Sequence, residues 1–127
     1  MKPEDFPDGR IEVDSRWGRQ LGFTRDIFVS QGEIGSQLIK KGNCMYIQAV
    51  EVLPQKRRQG HFHKLLDTLW DFGFTIKVPN PRRSMFNDLK EMGFIEITER
   101  SLTASEAEPD YDVVMVKPPP GTNGQMR

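Results

Sequence analysis

The stretch VLPQKRRQGHFHKLL, residues 52–66, decides how the chain is read. An apolar strand signal runs to Leu53 and is stopped by Pro54. A polar turn with a single glycine, Gly60, follows, and a helical period opens on it. Phe62, Leu65, Leu66, Leu69 and Phe72 share one face, while His63, Lys64, Asp67 and Asp71 fall largely outside it. A helix that starts at such a junction leaves its first N–H groups without intrahelical partners, and its dipole favours an anion there. Lys56, Arg57, Arg58 and Lys64 add four positive charges, with no acid among residues 52–66. The pattern predicts a phosphate or pyrophosphate site. It fits a solvated basic turn equally, and these residues alone leave both readings open.

Upstream, residues 45–53 are mostly apolar at both parities, which predicts a central strand covered on both faces. Gly42-Asn43 marks the turn before it, and residues 27–31 and 34–41, flanking Gly32-Glu33, suggest a hairpin. Residues 13–22 fit a short helix or a loop. Downstream, Gly73 stops the helix and residues 74–78 form the next strand. Asn80-Pro81 then predicts a second helix, with Asn80 as N-cap, Pro81 at its first position and Met85, Phe86, Leu89 and Met92 as its buried stripe. Residues 94–98 and 111–116 are the last two strands. The order predicts an α/β (α+β) fold whose sheet has at least one parallel crossover.

The 127 residues fit one domain, and 18 Lys plus Arg against 18 Asp plus Glu exclude partners won by global charge. That balance argues against nucleic acid, although Lys56-Arg57-Arg58 and Arg82-Arg83 are local basic patches. No apolar run reaches the roughly 18–20 residues of a membrane span, and residues 1–5 carry no apolar signal core. With a lone Cys44, a cytoplasmic setting is expected. Residues 1–116 form the expected domain. The segment KPPPGTNGQMR, residues 117–127, is expected to be a flexible tail, and residues 101–112 a polar acidic loop.

Around the basic turn the chain resembles the GNAT superfamily of N-acetyltransferases. Arg57-x-x-Gly60-x-Phe62, framed by Val52, Pro54, Leu65 and Leu66, follows that family's acyl-CoA loop at all but the last position, where Phe62 replaces a small residue. Asn80 after the next strand, a helix ending Glu91-Met92-Gly93-Phe94 and a final strand with Val113-Val114-Met115-Val116 extend the likeness over roughly residues 25–116. The resemblance implies a mixed sheet with splayed central strands, two main helices and a compact N-terminal part. It also implies acetyl-CoA as acyl donor and an amine of a small molecule or protein as acceptor. The backbone of Arg58, Gln59, Gly60, His61 and Phe62 would hold the pyrophosphate, that of Val52 and Leu53 would pair with the pantetheine arm, and Asn80 would contact it. The competing reading is an acyl-CoA-binding or protein-interaction module of the same fold without turnover.

Acyl transfer to an amine needs a base for the ammonium and a proton for the leaving thiolate. The family's frequent tyrosine acid falls here on Leu89, which donates nothing. Base candidates on the central strand are Glu51, Tyr46 and Gln48, the last two acting only by positioning water, and Glu51 reaches the cleft only if a bulge inverts strand parity. A rim carboxylate without a catalytic role is the other reading of Glu51. His61-x-His63 diverge by about 200° on a helix and no cysteine or carboxylate cluster joins them, so no metal is expected. Only 44 residues precede the central strand. The acceptor cleft is therefore expected to be open or completed by a second copy in a homodimer.

Overall fold

The computed structural model describes residues 2–30, 35–101, 107 and 110–121. Among them, six strands form one sheet: β1 (Gly9–Glu12), β2 (Gln37–Lys41), β3 (Cys44–Ala49), β4 (Thr75–Pro79), β5 (Ile95–Arg100) and β6 (Tyr111–Lys117), in the order β1-β2-β3-β4-β6-β5. Three helices accompany them: α1 (Arg16–Gln20), α2 (His61–Asp71) and α3 (Arg83–Glu91). The sheet is mixed. The β3–β4 pair is parallel because α2 carries the crossover, and every other pair is antiparallel.

The period-two and period-3.6 patterns meet in one core. Ile11, Leu38, Met45, Ile76, Val78 and Met115 come from one face of the sheet, and Leu65, Leu66 and Leu69 of α2 and Leu89 of α3 pack on them. Phe6 closes the N-terminal side, edge-on to both Phe72 and Phe74. The opposite face carries the other parity. Strand register puts Arg10, Ile39, Tyr46, Lys77 and Val116 in one row across it.

Four local expectations are corrected. Residues 27–29 make only a single bridge, Phe28 to Val52, because Phe28 turns into the core against Phe23 with ring centroids 5.0 Å apart. The partner of β2 is instead β1, a strand with Ile11 as its one core residue; residues 31–34 lie outside the described residues. The central strand stops at Ala49 rather than Leu53, since its ladder to β4 ends first. Asn80 is not a helix cap. The helix starts at Arg83 after Arg82, and Asn80 sits in a left-handed turn at φ 46°. Finally, the first residues of the expected tail join the fold: Lys117 ends β6 and stands 4.5 Å over the Trp70 ring, whose Nε1–H donates to the Pro118 carbonyl at 2.7 Å. Residues 122–127 lie outside the described residues. The segment 13–22 resolves as α1, capped by the Ser15 hydroxyl accepting from the Gly18 N–H. No described helix is long and apolar enough to cross a membrane.

Candidate functional site

The sheet opens at its centre. β3 and β4 are paired only from Cys44 to Tyr46 against Thr75 to Lys77. Beyond that point β4 stays with β6 through Val78–Met115 and Pro79–Val114, whereas β3 stays with β2 through Ala49–Gln37. Between Tyr46 and Ala49, three steps of β3 oppose two of β2 (Ile39 to Gln37), so β3 carries a bulge. The bulge shifts the parity of the residues that follow it, whereas before it the strand alternates, with Met45 and Ile47 buried in the core and Tyr46 buried on the opposite face. The strands therefore part around a cleft of about 680 Å³, with residues 47–52 on one wall and residues 78–82 and Met85 on the other.

Arg57 and Phe62, from the turn that follows β3, also line this cleft. Two residues of that turn are left-handed, Arg58 at φ 64° and Gly60 at φ 79°. The first helical bond runs from the Lys64 N–H to the Gly60 carbonyl at 2.9 Å, so the N–H groups of His61, Phe62 and His63 precede it and have no intrahelical acceptor. Phe62 packs partly against the core and leaves the backbone beside it, not its ring, to the turn. The side chains brace one another. Arg57 Nε donates to the Val52 carbonyl at 3.1 Å, Gln59 Nε2 to the Gln55 carbonyl at 3.3 Å, and His61 Nε2 lies 3.3 Å from Gln59 Oε1.

The bridge to Phe28 orients the strand end. Leu53 uses both its backbone groups within the chain, donating to the Ile27 carbonyl and accepting from the Lys56 N–H, each at 2.8 Å. The Phe28–Val52 bridge is flanked by bonds from Val29 N–H to the Glu51 carbonyl and from Leu53 N–H to Ile27, so Val52 turns its own N–H and carbonyl the other way. Of the two residues expected to offer a pairing edge, Val52 is the one placed to do so, through its N–H, since its carbonyl accepts from Arg57. Asn80 lines the cleft, but its amide is engaged: Nδ2 donates to Asp112 Oδ1 at 2.8 Å, and Oδ1 accepts from the Val113 N–H at 3.2 Å.

Of the three candidates on this strand, Glu51 and Gln48 share the cleft and Tyr46 does not. Glu51 lines the cleft, and its side chain, 64% exposed, has Oε1 3.7 Å from an Arg57 nitrogen. The Ser36 hydroxyl fixes its backbone, accepting from the Glu51 N–H at 2.8 Å and donating to the Glu51 carbonyl at 3.0 Å. Gln48 also lines the cleft. Tyr46 lies on the other side of the bulge, in a cluster that sequence reading does not reveal. Its hydroxyl donates to Glu99 Oε1 at 2.8 Å, and Lys77 Nζ donates to Glu99 Oε2 at 2.6 Å and to the Tyr46 oxygen at 3.4 Å. Burial, then the Glu99 carboxylate, pushes the Tyr46 hydroxyl above its ordinary range. Burial works to raise Glu99, yet its bonds from Lys77 and Tyr46 outweigh it and hold the carboxyl low. Burial likewise opposes the Lys77 charge, and the bond to Glu99 overrides it, so Lys77 is raised. The cluster is a stable ion pair with a neutral tyrosine. At physiological pH that tyrosine is a poor base.

Leu89 is 1% exposed and packs in the core. Among the described residues no group of three or more His, Cys, Asp or Glu is placed to hold a metal ion. Neither a family model nor a curated protein sequence matches the chain.

Proposed function

We propose that the protein is an acetyl-CoA-dependent N-acyltransferase of the GNAT type, acting on an amine. One observation carries the reading: the cleft between β3 and β4 is joined to a turn with two left-handed residues, Arg58 and Gly60, whose helix opens with N–H groups that precede its first intrahelical bond. A diphosphate fits this turn because N–H groups, helix dipole and the charges of Lys56, Arg57 and Arg58 all favour an anion. The outward N–H of Val52 suits an extended amide arm laid along the strand end. When bound, acetyl-CoA supplies the activated acyl carbonyl.

The chain's own contribution is to bind, orient and accept a proton. The acceptor nitrogen starts as an ammonium with three protons and ends as an amide with one. It gives one proton to Glu51 and the second to the departing sulfur, as the C–N bond forms and the C–S bond breaks. Glu51 suits this role by position, on the cleft wall after the bulge and pinned through Ser36. No side-chain acid is needed for the thiolate, a tolerable leaving group near neutral pH.

The burial of Leu89 favours a second reading, an acyl-CoA-binding module without turnover. One pair of measurements separates the two. Acetyl-CoA at 100 times its dissociation constant adds about 2.7 kcal/mol, a rise of roughly 10 °C in melting temperature for a chain of this size. Thiol release with a panel of amines then identifies the enzyme. A melting shift without thiol release gives the module, and no shift at millimolar acetyl-CoA removes both.

A further inference from the structure

We propose that the cavity beside β1, lined by Arg10, Glu12, Ser30, Ser36 and Gln37, is the acceptor site and takes a small zwitterion, a primary amine that also carries an anionic group. The inference rests on the acyltransferase reading and specifies its second substrate. The cavity is about 540 Å³, room for a small molecule.

Its charge pattern selects the ligand. Arg10 and Glu12 occupy alternate positions of β1, so they project from the same face of the sheet, with Ile11 between them in the core. Their backbones are about 6.7 Å apart. Two other pairs near this edge are closed, Lys40 with Asp8 and Arg25 with Asp14, each at 2.8 Å. Among the described residues neither Arg10 nor Glu12 is in an ion pair, with each other or with any neighbour. A cation and an anion held side by side and unpaired complement a ligand bearing both charges, whereas a singly charged ligand leaves one of them unmatched.

The position of the cavity ties it to the cleft. Ser36 lines both, and its hydroxyl holds the Glu51 backbone. Register orders the two charges relative to the cleft. Glu12, Gln37 and Ala49 form one row across β1, β2 and β3, and Ala49 lines the cleft. Arg10 is aligned with Ile39 and Tyr46, one pleat repeat farther back. A zwitterion seated here has its ammonium beside Glu12, toward the cleft and Glu51, and its anionic group on Arg10. The amine is presented and the anion anchors it.

Glycylglycine is a suitable probe, because two extended residues span about 6.6–7.2 Å between their charges, close to the separation of the two side-chain origins. Backbone amide NMR spectra of the full chain are titrated with glycylglycine, with glycylglycinamide, which lacks the anion, and with N-acetylglycine, which lacks the cation. The expected result is movement of the Arg10 to Val13, Ser36 and Gln37 signals, with glycylglycine binding roughly fivefold or more tighter than either control. Arg10→Ala abolishes the preference over the amide, and Glu12→Gln abolishes the preference over N-acetylglycine; both side chains are exposed, so the fold is kept. Movement confined to other residues, or equal binding of the three probes, overturns the proposal. The same samples titrated with CoA report on Arg58 to Phe62. Silence there refutes the acyltransferase reading separately, whatever the dipeptide does.

Discussion

Replacing Gly60 tests the anion turn without touching the core. An added Cβ at Gly60 meets no atom within 4 Å, so substitution costs backbone strain alone. At φ 79° a left-handed L-residue costs about 1–2 kcal/mol, and the stiffer unfolded chain returns about 0.4–1. The net is about 1 kcal/mol, a fall of about 4 °C in melting temperature. Ala, Gln and Glu at this position share that cost, so differences among them isolate charge. A carboxylate about 6 Å from a phosphate, at an effective dielectric near 40, costs roughly 1.4 kcal/mol per unit of phosphate charge. Gly60→Glu should therefore bind CoA about tenfold or more weakly than Gly60→Gln, and added salt should shrink the gap. Isothermal titration of the three folded variants measures it. Equal affinity of the Glu and Gln variants would refute a diphosphate at this turn.

Three further outcomes follow from local geometry. Glu99→Gln leaves Lys77, whose side chain is 16% exposed, without its counter-ion and should cost about 2–3 kcal/mol in denaturant unfolding. The Glu99 contribution is present above its ordinary 4.5 and lost as pH falls through its lower folded value, and the Lys77 contribution is present below 10.5 and lost as pH rises through its higher one. The gap between wild type and variant should thus be widest from about pH 5 to 10; a gap independent of pH would contradict the pairing. Arg58→Gly relieves a left-handed arginine and removes one charge from the turn, so stability should hold or rise by up to about 1 kcal/mol while CoA affinity falls, and a lowered melting temperature would count against it. Gly18→Ala would place a Cβ 2.5 Å from the Glu12 carbonyl oxygen, forcing α1 off the end of β1 at a cost of about 2–3 kcal/mol; an unchanged denaturation midpoint would exclude that clash.

The elements that carry a strong period are legible in the sequence. Leu65, Leu66 and Leu69 are buried as the 3.6 spacing requires, and Gly73 and Gly93 end their helices at φ 101° and 96°. Elements that owe their form to distant partners are not. β1 has one core residue in four, so nothing in its own composition separates it from a loop until β2 pairs with it. Asn80-Pro81 has the chemistry of a helix cap, yet a partner 33 residues away, the Val113 N–H, takes the Asn80 side chain instead. Lys77 and Glu99 look like ordinary surface charges in their own strands. Register places Lys77 beside Tyr46 in a row that ends on Ile95, and Glu99, four residues farther along β5, reaches both through its side chain; in β5, which also carries Glu96 and Arg100, nothing local marks Glu99 out.

The bulge in β3 is the step on which the site depends, and it follows from a conflict that the sequence contains without resolving. Residues 45–53 are mostly apolar at both parities because the first half of the run is a strand and the second half is the lip of a cleft, which a single uninterrupted strand could not serve. Were β3 to continue in register past Tyr46, its ladder with β4 would close the gap and place the residues after Ala49 on alternating faces. One extra residue turns the chain toward β2, and the bridge from Val52 to Phe28 then holds it there, with Phe28 anchored in the core. The same deviation puts Glu51 on the cleft wall, turns the N–H of Val52 outward and starts the basic turn at the cleft's end. Core packing by Phe28 and cleft formation by β3 are therefore coupled. Truncating Phe28 to Ala should cost about 3–5 kcal/mol, and in the folded fraction it should weaken CoA binding even though Phe28 lies outside the cleft lining. Unaltered CoA affinity in a destabilised Phe28→Ala protein would show that the bulge holds the cleft open without the bridge.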